Sequence, residues 1–187
     1  MPRKRSRATR PSCRQVSTDS ASWQAGRGAI GFLPAPLFRD RGPALAILIG
    51  WIASLAGSVA LGYLLSRFAT GGTVGPAAEL ARAPAPVVLI GVALFSPLVE
   101  TLIMAGIIDL LRRRLGAWQA VAASAALWGM CHSLLSPWWG LVIWWPFLIF
   151  STTYVTWRPH GLWRAAVMAA AVHVLQNSGP ALAMVLG

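Results

Sequence analysis

The chain has 187 residues, of which 56% are hydrophobic and only 11% charged, with a formal net charge of +11. A water-soluble domain carries about 25% charged residues, so this chain has too little polar surface to cover itself in water. Its positive charge lies in the N-terminal stretch and at the ends of apolar runs, a pattern that suits an anionic membrane leaflet rather than nucleic acid.

Apolar runs longer than about eighteen residues recur along the chain, each long enough for a membrane-spanning helix. The expected fold is therefore all-α: a polytopic membrane bundle of about five transmembrane helices over residues 43–187, behind a disordered basic cytoplasmic tail, residues 1–42. That tail is rich in Arg, Ser, Pro and Gly and shows no apolar periodicity; its charge is of the kind that binds anionic head groups. It does not read as a cleavable signal peptide, because its basic region is too long and no small-residue cleavage site follows a short apolar stretch.

The first span is expected from Pro43 to Leu65, closed by Arg67. Ser54, Ser58 and Gly62 fall four apart on it, a ridge of small residues that lets a neighbouring helix approach. A Gly/Pro/Ala-rich loop, Phe68 to Pro84, leads to a second span at 85–111. A third is expected from Ala117 to Leu135, stopped by Ser136-Pro137, and a fourth from Trp138 to about Thr156 with a kink at Pro146. The fifth, Leu162 to Leu186, is expected to break at Asn177-Ser178-Gly179-Pro180. Trp138, Trp139, Trp157 and Trp163 lie at span ends, where amphipathic rings anchor at the interface. With the N-terminus inside, 14 of 16 Lys and Arg fall on the cytoplasmic side and only Arg67 and Arg82 outside, which predicts an N-in, C-out chain.

Glu100 is the most informative residue. A carboxylate inside a span costs at least about 2.5–3.5 kcal/mol on insertion scales and is a functional candidate by default. It lies twelve residues before Arg112, about 18 Å deep at helical rise. His132, His173 and Asn177 fall in the same broad central band of a core about 30 Å thick. His173 and Asn177 are four apart and share a helix face, as do Trp128 and His132. Pro97 removes a backbone donor one turn before Glu100, which bends the helix and admits water. Asp109 is expected to pair with Arg112 or Arg113, and His160 to lie inert in a turn. Cys13 and Cys131 form no expected disulfide and no zinc site of cysteines.

A desolvated carboxylate beside an imidazole can hold and deprotonate a water, while a second imidazole and a carboxamide can donate to an oxyanion. Attack of that water on a peptide carbonyl is the reaction this inventory supports best, and it needs no Ser or Cys nucleophile. Two His and one carboxylate can instead ligate a divalent metal such as zinc; spacing leaves both open.

Glu100-Thr101-Leu102-Ile103-Met104-Ala105, Trp128-Gly129-Met130-Cys131-His132 and His173-Val174-Leu175-Gln176-Asn177 together resemble the three motifs of the CPBP family of intramembrane proteases, which includes the CAAX prenyl endopeptidases. That pattern is Glu-Glu-x-x-x-Arg, Phe-x-x-x-His and His-x-x-x-Asn, and the match covers a core at residues 85–187. The resemblance implies a glutamic-type endopeptidase in a bacterial inner membrane, acting on a membrane-embedded or membrane-anchored protein. Substrates of this kind include CAAX-like sequences and C-terminal anchor or sorting signals. It assigns Glu100 as the base, His132 as its partner, and His173 and Asn177 as oxyanion donors, with no resident cofactor. Thr101 stands where the family has its second Glu, Ala105 where it has Arg, and Trp128 where it has Phe. Loss of both charges removes an i,i+4 ion pair without stranding either member. The contrasting expectation is a non-catalytic binding or self-immunity protein that keeps the fold. A proton or ion pathway has less support, because no inverted repeat is visible.

Overall fold

The computed structural model describes residues 30–40, 42–68, 80 and 82–186. Among these residues there are helices and no strand: α1, Pro43–Ser66; α2, Ala85–Leu111; α3, Ala117–Ser133; α4, Pro137–Trp157; and α5, Leu162–Leu186. Short 3-10 turns at Ala35–Phe38 and Arg158–His160 flank α1 and α4. Helices α1, α2 and α5, and α4 with the turn that follows it, are long and apolar enough to cross a membrane. Helix α3 has 17 residues and stops before Leu135. Ser136 precedes a proline, which drives it to extended backbone (φ −155°, ψ 123°) and separates α3 from α4.

Helix α4 is the centre of the bundle. Every residue from Pro146 to Trp157 is buried, and α1, α2, α3 and α5 all pack against this helix. Its tightest partner is α3. A Cβ added to Gly140 would run into the Ser133 side chain and the Gly129 carbonyl, so the backbones meet where neither has a side chain. Ser151 donates to Ser124 across the same seam at 3.2 Å. On the other side, the Trp145 indole donates to the Ala53 carbonyl at 3.0 Å and fills the space beside Gly57. The small-residue ridge of α1 therefore works in part: Ser54 is buried and Ser58 accepts from Gln176 of α5, but Gly62 meets no neighbouring helix among the described residues.

Several expectations are corrected. The tail was expected to be disordered to residue 42, yet its last part folds onto the bundle. Ile30, Leu33, Leu37 and Phe38 are buried, and the Thr156 hydroxyl donates to the Leu37 carbonyl at 2.8 Å. These four apolar residues and a proline-started 3-10 turn give the segment enough buried surface to offset its ordering. Residues 1–29 and the loop at 69–79, including Cys13 and Glu79, lie outside the described residues.

Helix α5 does not break at Asn177-Ser178-Gly179-Pro180; it runs through with Pro180 inside. A proline costs the helix only the one bond to the carbonyl four residues back, and Ser178 ties itself in by donating to the Val174 carbonyl at 2.7 Å. Trp157 is no interfacial anchor: it is 2% exposed, with the Arg164 guanidinium 5.2 Å over its ring, whereas Trp163 is exposed. Asp109 pairs with Arg158 of the α4–α5 turn, not with Arg112 or Arg113. Arg158 presents two nitrogens to both carboxylate oxygens at 2.9–3.1 Å, a fork that a neighbour on the same helix does not match. His160 is not idle either, since its Nε2 meets Asp40 at 2.8 Å and fastens the N-terminal segment to the same turn.

Candidate active site

Helix α2 owes its shape to Pro97. Residues Val88–Phe95 are π-helical, closed by the Ser96 N–H donating to the Gly91 carbonyl five residues back. The next donor in that register would serve the Val92 carbonyl, but it belongs to Pro97 and does not exist. The Asn177 side-chain amide of α5 supplies it, donating to Val92 O at 3.2 Å. Asn177 thus compensates a proline defect in the neighbouring helix. The sequence placed it on one face with His173, but the bond it makes turns it to α2 backbone.

Beyond Pro97 the helix becomes α-helical and carries Glu100 and Thr101 toward α5. Glu100 is half-buried. Its Oε1 accepts from the Ser96 hydroxyl one turn earlier, and its Oε2 lies 3.8 Å from Nε2 of His173. His173 is buried between Phe150, whose ring stacks on it at 4.3 Å, and Phe147, edge-on at 5.2 Å. Its Nδ1 lies 3.1 Å from the Thr101 hydroxyl. An ionised Glu100 only accepts, which favours the tautomer with the proton on Nε2 and Thr101 donating to Nδ1. Thr101, expected as the neutral remnant of a lost ion pair, is instead the residue that orients His173. Ala105, the other half of that pair, is buried and apolar.

His132 sits at the margin. Its Nδ1 is 2.8 Å from the Trp128 carbonyl, and a carbonyl only accepts, so Nδ1 carries a proton and Nε2 is the free nitrogen. Trp139, edge-on at 4.8 Å, Trp128 and Phe147 surround the ring. Trp139 therefore does more than anchor at an interface. Of the two imidazoles, His173 is the one beside Glu100, while His132 and His173 both lie against the Phe147 ring. The imidazole in contact distance of the Glu100 carboxylate is thus His173, where the family resemblance names His132 as its partner. Among the described residues no three His, Cys, Asp or Glu converge as a metal-ligand set. Cys131, next to His132, is a free, exposed thiol.

Aromatic residues form the wall that sequence reasoning missed. Phe147 touches Trp128, His132, Phe150 and His173, yet nothing in the apolar run of α4 distinguishes it from its neighbours before the helices are assembled. Comparison with protein-family models, with curated proteins and with solved structures finds no match to this chain.

Proposed function

We propose that this chain is an intramembrane endopeptidase that hydrolyses a peptide bond with a water activated at Glu100. The observation that supports it is the Glu100–His173 pair: a carboxylate and an imidazole 3.8 Å apart, in an apolar helical bundle, each oriented by its own hydroxyl partner. Glu100 takes a proton from water, the hydroxide oxygen bonds to the carbonyl carbon, and the carbonyl oxygen takes the negative charge. The proton then passes to the amide nitrogen as the C–N bond breaks. His173 Nε2–H is a donor beside the water, and His132 Nε2 is the second imidazole nitrogen available to it. Glu100, His132 and His173 do not converge as a ligand set among the described residues, so no step is routed through a divalent metal such as zinc.

The substrate class is a membrane-embedded or membrane-anchored protein, with the chain a multi-pass protein of the bacterial inner membrane. The arginine distribution supports five spans with the N-terminus inside, and the basic tail suits anionic head groups. The CPBP-like order of Glu100, His132 and His173 belongs to this reading.

The experiment is reconstitution in vesicles with a library of quenched peptides carrying an apolar anchor, comparing wild type with Glu100→Gln. A loss of at least about 10³-fold in turnover, with the variant still inserted and folded, supports the hydrolase. Equal turnover by both proteins sinks it. One observation favours a second reading, a non-catalytic binding or self-immunity protein: the Asn177 amide is occupied by Val92 O. Such a protein keeps its phenotype with Gln at position 100.

A further inference from the structure

Away from Glu100, helices α1 and α5 meet along a stripe whose character changes every turn. At Gly50 it is shut, since Val172 of α5 stands 3.0 Å from where a Cβ would be. At Ser54 the hydroxyl is fully buried and has no hydrogen-bond partner among the described residues. At Ser58 the hydroxyl meets the Gln176 side-chain amide at 3.3 Å, and at Gly62 no described residue of another helix comes within 4 Å of where a Cβ would be.

Gln176, 7% exposed, leaves its other amide atom, Oε1, without a partner. Exchanging the amide's N and O only moves the deficit from one atom to the other. The backbone carbonyl of Gln176 also lacks its helical donor, because the residue four further on is Pro180. Two side-chain polar atoms with no partner among the described residues, Ser54 Oγ and Gln176 Oε1, thus lie along one seam of the bundle. Each buried polar atom left unpaired costs about 1–3 kcal/mol, and native proteins meet such clusters with bound water.

We propose that the α1–α5 seam at Ser54, Ser58 and Gln176 is a water-binding site that feeds the Glu100–His173 pair. Gln176 lies three residues past His173 on α5, so the seam opens one turn from the imidazole. The seam is shut at Gly50 by Val172, so water reaches it from the Ser58 side. A hydrolase buried among apolar helices needs such a supply, and this second half of the proposal rests on the endopeptidase reading. The binding of water does not.

The test is water-edited solid-state NMR on the full chain in lipid vesicles, with the Gln side-chain amides and the Ile residues labelled. Magnetisation from water reaches the Gln176 side chain as fast as it reaches exposed Gln119; transfer as slow as to the fully buried Ile149 overturns the site. In the peptidase assay, Gln176→Met lowers kcat by about tenfold at unchanged KM. Ser54→Ala lowers it less and covers the case in which Gln176→Met fails to fold. Fast transfer with wild-type kcat in both variants overturns the supply role alone. If Glu100→Gln leaves turnover intact, the endopeptidase reading fails while the NMR result still decides the water site.

Discussion

Helix α2 carries two carboxylates nine residues apart, Glu100 and Asp109, and the bundle treats them differently. Asp109 sits near the helix end, about a third exposed, with a bidentate guanidinium that satisfies both oxygens. Glu100 sits deeper and receives one hydroxyl, while its nearest cationic candidate is an imidazole at 3.8 Å, too far for a hydrogen bond. Complete pairing holds two helices together and leaves no capacity to react. Incomplete pairing leaves an oxygen free to take a proton.

The comparison breaks first if the two acids respond alike to neutralisation. Glu100→Gln is expected to cost at least about 10³-fold in turnover with the unfolding temperature little changed or raised, because an underpaired buried charge is removed. Thermal unfolding in detergent beside the peptide assay reads both. Arg158→Met does the reverse. It strands Asp109 and is expected to cost about 1–2 kcal/mol of stability, a modest figure because the pair is partly solvated, with kcat per folded molecule unchanged. Adding Asp109→Asn to Arg158→Met should return much of that loss, since no charge is left unpaired.

Thr101 sharpens the contrast at the Glu100 end. Thr101→Val keeps the shape and removes the hydroxyl that orients His173. The expected stability change is about 1 kcal/mol, with kcat down about tenfold and KM unchanged. Thr101→Ser should restore the rate. If valine changes stability but not kcat, Thr101 is a packing residue and the orientation of His173 has another source.

How much of this was legible in the sequence depends on distance along the chain. The five helices follow from apolar runs and their punctuation: Pro43, Ala85, Ala117 and Leu162 begin helices where the pattern changes. Glu100 and His173 were legible as costly polar groups in apolar surroundings. What local spacing could not carry was the choice among partners. Asp109 has arginines three and four residues away and pairs with one 49 residues on, because the fork geometry of Arg158 prevails over proximity in sequence. Glu100 was assigned His132 by motif order, but His132 spends its Nδ1 on its own helix. The break expected at Pro180 failed for a related reason: one missing N–H is a small defect when the flanking turns are packed against α1 and α2. The buried residues Ile30, Leu33, Leu37 and Phe38 keep a helical spacing, but Pro34 and Pro36 between them hid it among the irregular tail.

Asn177 gives the smallest effect and the finest distinction. The motif resemblance makes it an oxyanion donor; the structure makes it the substitute for the N–H that Pro97 lacks. Asn177→Leu leaves the Val92 carbonyl unpaired and is expected to cost about 1 kcal/mol of stability, at the level of one hydrogen bond. If backbone repair is its whole task, kcat per folded molecule stays within about twofold of wild type, and Pro97→Ala, which returns the missing donor, offsets the loss of stability. An oxyanion role instead lowers kcat by about 10²-fold or more, and Pro97→Ala does nothing for it. The double variant therefore separates the two: rescue ties Asn177 to the Glu100 helix as structure, as Arg158 ties Asp109, whereas a persistent loss of rate moves it to the reacting side of the comparison.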